Sequence, residues 1–125
     1  MRRLLLVGLA LAAFSRLGAA SAQDPVKLDP KHYKVEFEND QVRVLRITYG
    51  PHEKSVMHDH PPNVAIFLTD AQARFTLHDG QSVEPPMKAG GTAWDPGGQH
   101  LPENIGDKPF EVILVELKTK AAKTK

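Results

Sequence analysis

The 125-residue chain has no cysteine, one tryptophan and two tyrosines, and aromatic residues are only 6% of it. Without cysteine it can form no disulfide, offer no thiolate to a metal and carry no lipid on a cysteine at a new N-terminus. It contains no apolar run of the roughly 20 residues that span a bilayer as a helix. It has no internal repeat, no segment with a 3.6-residue apolar period over three turns, and no G-x-S-x-G nucleophile motif. Gly97-Gly98 is not a phosphate loop, because no helical segment follows it to supply a dipole.

The longest apolar stretch is at the start. Met1-Arg2-Arg3 is followed by Leu4–Phe14 (LLLVGLALAAF) and then by Ala20-Ser21-Ala22. A positive start, a short apolar run and an A-x-A site form the pattern of a secretory signal peptide. Residues 1–22 are therefore expected to be cleaved, leaving Gln23 first and the protein exported, periplasmic or secreted, with no stable membrane anchor. Two arginines alone do not choose the export route. Cleavage removes Arg2, Arg3 and Arg16 and no acid, so the 16 Lys+Arg become 13 against 15 Asp+Glu, a net charge of −2. Nothing in that charge favours nucleic acid, which asks for a basic patch or stripe.

The remainder reads as β-structure. Residues 23–32 are polar with Pro25 and Pro30, an extended leader. From Tyr33 short apolar or alternating runs recur between turn signals: Val35–Glu38, Val42–Tyr49, Val56–His60, Val64–Leu68, Arg74–His78, Gln81–Glu84, Met87–Trp94, His100–Ile105 and Val112–Leu117. The turns are Asn39-Asp40, Gly50-Pro51, Pro61-Pro62, Asp79-Gly80, Pro85-Pro86 and Gly106-Asp107. The apolar phase slips at Val44-Leu45, which predicts a β-bulge or a strand buried on both faces. Short strands at close, regular spacing predict an all-β protein, an antiparallel double-sheet sandwich or barrel, over residues 33–118. Residues 119–125, three lysines and four small residues, read as a solvated tail.

His58-Asp59-His60 is the sharpest chemical signal. On a strand, i and i+2 share a face with Cα atoms about 6.6 Å apart, so two imidazoles can converge on one ion while Asp59 faces away. Imidazole suits Fe, Ni, Cu and Zn. Downstream stand Gly90, Pro96, Gly98, His100 and Asn104.

Together these residues resemble the two motifs of the cupins, small single-domain ones above all. The second cupin motif is matched at Gly90, Pro96, Gly98, His100 and Asn104, with one residue fewer between Gly98 and His100. The first is matched at His58 and His60. The resemblance implies a jelly-roll barrel and one divalent metal, Fe, Mn, Ni, Cu or Zn, held by His58, His60 and His100. It also implies a small-molecule ligand, and a homodimer is compatible with it. There are departures: the family glutamate falls at position 64 or 65, where Val64 and Ala65 stand. Seven residues rather than five lie between Gly50 and His58, and no glycine closes the first motif. Val64 is expected to start its strand beside His60 and face the same pocket. The other histidines, His32, His52 and His78, read as surface residues, and Trp94 and Phe67 as core. Glu53 and Glu103 read as solvated loop acids, and Asn104 as a turn residue bonded to local backbone. Two functions stay open: a metal-dependent enzyme of dioxygenase or isomerase type, with catalytic residues unassigned, or a non-catalytic binder of a small ligand with a degenerate or absent metal site.

Overall fold

The structure is a computed structural model that describes residues 23–118. The expected signal segment, 1–22, and tail, 119–125, lie outside the described residues. Among the described residues nine strands form two antiparallel sheets: β1 Tyr33–Glu38, β2 Val42–Tyr49, β3 His58–His60, β4 Asn63–Phe67, β5 Ala73–Leu77, β6 Ser82–Val83, β7 Thr92–Asp95, β8 Gly98–Asn104 and β9 Phe110–Leu117. One sheet runs β1-β2-β9-β4-β7 and the other β3-β8-β5-β6. The strand and turn spacing predicts such an antiparallel double-sheet arrangement, and the cupin resemblance implies its jelly-roll form.

The inner face of the five-stranded sheet is built in rows, because residues opposite one another across strands share a face. Leu45, Leu114, Ala65 and Ala93 form one row; Ile47, Val112 and Phe67 form the next; Tyr49 pairs with Phe110 beyond them. Leu45, Ile47, Tyr49, Phe67, Phe110, Val112 and Leu114 are buried and make most of the core. At the other end of the same face the row changes character to Arg43, Glu116, Asn63 and Asp95. Inward alternation along β2 and β9 thus ends in an ion pair rather than an aliphatic contact.

The phase slip at Val44-Leu45 is a bulge, with the extra residue on the partner strand. Val35 pairs with Leu45 and Phe37 with Val44, which leaves Glu36 unmatched. Beyond the bulge Phe37 lies on the outer face, 53% exposed. It heads an outer row continued by Val44, Val115, Val64 and Trp94.

That row corrects two expectations. Val64 points away from the barrel interior, because inward-facing Asn63 and Ala65 flank it on a strand of period 2. Trp94, opposite Val64, is 59% exposed and is not part of the core. Phe67 is core, as expected.

Segment 23–32 also differs from an extended leader. Pro25–Leu28 forms one helical turn capped by Asp24, whose side chain accepts a hydrogen bond from the Val26 amide. Pro at the first helical position fits that start, since its missing N–H would have no partner there. The turn is bound to the barrel: Pro25 is buried, and the Asp59 amide donates to the Gln23 carbonyl at 2.9 Å.

Candidate metal centre

β3 and β8 place the three histidines. His58 stands directly opposite His100, and His60 opposite Gly98. The His58–His60, His58–His100 and His60–His100 ring centroids are 4.8, 4.9 and 5.0 Å apart, a nearly equilateral triangle. One nitrogen from each ring lies within 4.8 Å of the other two. Asp59 pairs with Gln99 and points the other way, as strand periodicity predicts. The chain passes from β7 into β8 tightly against β3. Gly97 has φ +93°, and a Cβ there would lie 2.7 Å from the His60 carbonyl oxygen, so the close approach requires glycine.

Hydrogen bonds on the far side of two rings fix their tautomers. Nδ1 of His58 lies 2.8 Å from the Val56 carbonyl, which can only accept, so that nitrogen carries the proton. Nδ1 of His60 lies 2.8 Å from Oε2 of Glu116 and donates to the carboxylate. In the neutral rings both Nε2 atoms then present lone pairs, and they face each other at 3.0 Å. Nε2 of His100 is buried with no hydrogen-bond partner. Facing lone pairs at that distance need a cation between them, a shared proton or a metal ion. Two nitrogens bonded to one ion at about 2.1 Å are about 3.0–3.4 Å apart for bond angles between a right angle and tetrahedral. The three-histidine donor set therefore fits a divalent metal.

The electrostatics favour neutral ligands. Burial, with His60 adding to it, holds His58 down to about 4. Burial, then His60 and His58, hold His100 down to about 2. Both are unprotonated at neutral pH, as metal binding requires.

Behind the triangle lies a carboxylate that the motif comparison missed. Glu116 accepts from Arg43 Nε at 2.6 Å through Oε1 and from His60 through Oε2, and Arg43 also grips both Asp24 oxygens, at 2.8 and 3.0 Å. Burial pushes the Glu116 carboxyl up, but the hydrogen bonds from His60 and Arg43 outweigh it and hold the carboxyl below its ordinary value. A carboxylate behind a ligating histidine orients the ring and raises its basicity. The signal for Glu116 was in the sequence: Phe110, Val112, Leu114 and Glu116 alternate, and the last is an acid in the inward phase. Asp24 was hidden because the leader reads as peripheral.

The remaining residues fall as follows. His32 is a correction: it is buried, stacked on Tyr49 with ring centroids 4.2 Å apart, and its Nδ1 lies 2.7 Å from Asp29. Asp29 also accepts from Ser55 Oγ at 2.6 Å, and Ser55 lies 3.5 Å from His58 Nδ1. His52 and His78 are exposed, as expected. Glu53 is half-buried rather than freely solvated; it accepts from Lys31 and from the Gly50 amide, which hold it down to about 2. Glu103 is also half-buried, in β8. Asn104 does bond local backbone, accepting from the Gly106 amide and donating to the Lys108 carbonyl, and it reaches across to Gly50 as well.

The cavity beside His100 has a volume of about 280 Å³ and lies between the sheets. Ala65 and Ala93 face it from adjacent strands, so of the two positions where the family glutamate could fall, 65 is the inward one.

The fold is that of the cupin barrels. A cupin domain from Bordetella pertussis Tohama I superimposes with a TM-score of 0.65 at 24% identity, covering 70% of this chain and 92% of that one. A conserved protein with a double-stranded β-helix domain from Klebsiella pneumoniae covers 93% and 95%, with a TM-score of 0.57 at 21% identity. A cupin 2 conserved barrel domain protein from Salinispora arenicola gives 0.55 at 22% identity, covering 74% and 80%. No family model matches the sequence, and no curated protein does. The class defined by fold and site is thus a small cupin-type barrel with three clustered histidines.

Proposed function

We propose that this chain is an exported cupin-type protein that binds one divalent metal through His58, His60 and His100 and uses it to hold a small organic molecule in the barrel. The observation that carries the reading is the pair of Nε2 atoms facing each other at 3.0 Å, each with its proton committed to the opposite side of its ring. Export rests on the N-terminal sequence pattern alone.

A bound divalent ion would supply Lewis-acid polarisation of the ligand. The chain's own residues orient the histidines, exclude water with apolar walls and set the charge. Tyr33 and Tyr49 share a hydrogen bond of 2.6 Å, and burial raises both phenols, so they stay neutral.

One observation favours binding without turnover. Glu116 is engaged by both His60 and Arg43, and Asp95, on the cavity wall, accepts from the Gly97 amide at 2.8 Å. Glu116 has both oxygens committed, and Asp95 has one oxygen held by a backbone amide. Metal analysis of untagged protein, followed by turnover assays on a panel of small organic substrates, tests the two parts in turn. Stoichiometric metal without turnover leaves the binder; no metal removes the site.

A further inference from the structure

The lining of the cavity between the sheets restricts what it can hold. Among its lining residues there is no lysine, arginine or glutamate, and the only acid, Asp95, is already hydrogen-bonded to the Gly97 amide. An anion placed against such walls would lose its hydration with no cation to replace it, except at one atom bound to the metal. Phosphates, sulfates and polyanions are therefore poor fits. Sugars are poor fits too, since each hydroxyl needs a partner and the walls are chiefly Ile47, Phe67, Phe75, Met87, Val112 and Leu114.

The space itself has a cause in the sequence. Ala65 and Ala93 are register partners on β4 and β7, in the same row as Leu114 and Leu45. Two methyl groups where the rest of the row carries leucines leave a gap on one side of the barrel. The volume of about 280 Å³ exceeds the roughly 150 Å³ at which an apolar cavity holds benzene. It suits one substituted ring, or a branched chain of like size.

Apart from His100 Nε2, which belongs to the histidine triangle, one wall atom is buried without a partner. Asn63 is 1% exposed and lines this cavity; its Nδ2 donates to the Pro61 carbonyl at 2.9 Å, while its Oδ1 is buried without a partner. A buried acceptor left unpaired is costly, and a ligand O–H or N–H would relieve that cost.

We infer that the cavity takes a neutral, monocyclic or similarly compact apolar molecule carrying one O–H or N–H donor, which pairs with Asn63 Oδ1 while the apolar body fills the space beside Ala65 and Ala93. This deepens the small-ligand reading above and rests on it, but not on the identity of the metal.

Ligand-observed NMR titrations of the full mature chain test it with benzyl alcohol, toluene, benzoate and glucose, each metal-free and Zn-loaded. In the metal-free protein benzyl alcohol should bind at least tenfold more tightly than benzoate or glucose, and several-fold more tightly than toluene. Ala65→Leu should weaken benzyl alcohol tenfold or more while zinc content stays unchanged; Ala93→Leu, from the neighbouring strand, is the second filler should the first fail to fold. Asn63→Leu should bring benzyl alcohol and toluene to equal affinity. Benzoate or glucose binding as well as benzyl alcohol in the metal-free protein would overturn the inference, as would unchanged affinity in a folded filler variant. Loss of zinc binding with benzyl alcohol binding intact would instead sink the metal reading and leave the cavity assignment standing.

Discussion

His60 and Glu116 are joined across 2.8 Å at the edge of the barrel interior, and Arg43 holds the other Glu116 oxygen at 2.6 Å. The relationship runs from a β3 ring to a β9 carboxylate, so the two sheets meet at this contact. It fixes which His60 nitrogen faces the other histidines. Glu116→Gln keeps the shape but removes the charge and turns one oxygen into a donor that opposes either Arg43 or His60. Metal affinity should fall by about 10–100-fold, the usual cost of losing such a partner. Glu116→Ala leaves His60 Nδ1 without its acceptor while Arg43 keeps Asp24, and should cost about 1–3 kcal/mol of metal-free stability. Calorimetric zinc titration and urea unfolding read the two effects separately; no change in either would remove Glu116 from the site.

Stability of the metal-free protein should fall as pH drops below neutrality. His58 at about 4 and His100 at about 2 sit below the unfolded value of about 6.5, so the unfolded chain binds more protons in that window. Their contribution is fully present above about 6.5 and is lost as pH falls, through about 4 for His58 and lower still for His100. Glu116, also held below its ordinary value, has the same sign in the acid range. Melting temperature against pH should decline from 7 to 4, by an amount equivalent to a few kcal/mol. His100→Gln should shallow that decline. An equally steep profile in His100→Gln would contradict the assignment of this acid lability to the site.

Gly97→Ala should damage both fold and site. The new Cβ would meet the His60 carbonyl at 2.7 Å in a left-handed backbone conformation. Destabilisation of about 1–3 kcal/mol is expected from the strain alone, with weaker zinc binding because β3 must shift. Gly80→Ala is the comparison: it also has positive φ, but nothing lies within 4 Å of its Cβ position. It should cost stability without touching zinc affinity.

Positions 64 and 65 separate the two alignments of the missing glutamate. Val64→Glu puts a carboxylate on the outer sheet face beside Trp94 and should change stability little and metal preference not at all. Ala65→Glu buries it in the cavity wall, which should cost several kcal/mol without metal. If Ala65→Glu is rescued by Mn(II) and Val64→Glu is indifferent, the inward assignment of position 65 holds. Rescue of Val64→Glu instead would reverse it.

The barrel was legible because turn dipeptides such as Asp79-Gly80 and Pro61-Pro62 bound short apolar or alternating runs, and these became β5, β6, β3 and β4. His58 and His60 were legible because H-x-H on a strand fixes one face, and His100 because the downstream glycines and proline resemble the second cupin motif. The orientation of Val64 was not, because Pro61-Pro62 resets the strand phase and a run such as VAIFL has no alternation from which to read it. Trp94 was misplaced for a related reason: β7 is a sheet edge, where a large aromatic can lie outside. His32 and Asp24 were missed because a polar, proline-containing leader carries no periodicity, and only tertiary contact shows that it packs against the barrel. Residue spacing reports which side chains share a strand face; it does not report which strands meet across the interior, and the Glu116–His60 contact is of that second kind.

The central claim is that His58, His60 and His100 hold one divalent ion. Elemental analysis of untagged protein, as isolated and after reconstitution with Fe, Mn, Ni, Cu and Zn, tests it most directly. One ion per chain is predicted, lost in His58→Ala, His60→Ala and His100→Ala and retained in His78→Ala. Substoichiometric metal under every condition, or full occupancy in a triple-alanine variant, would contradict it.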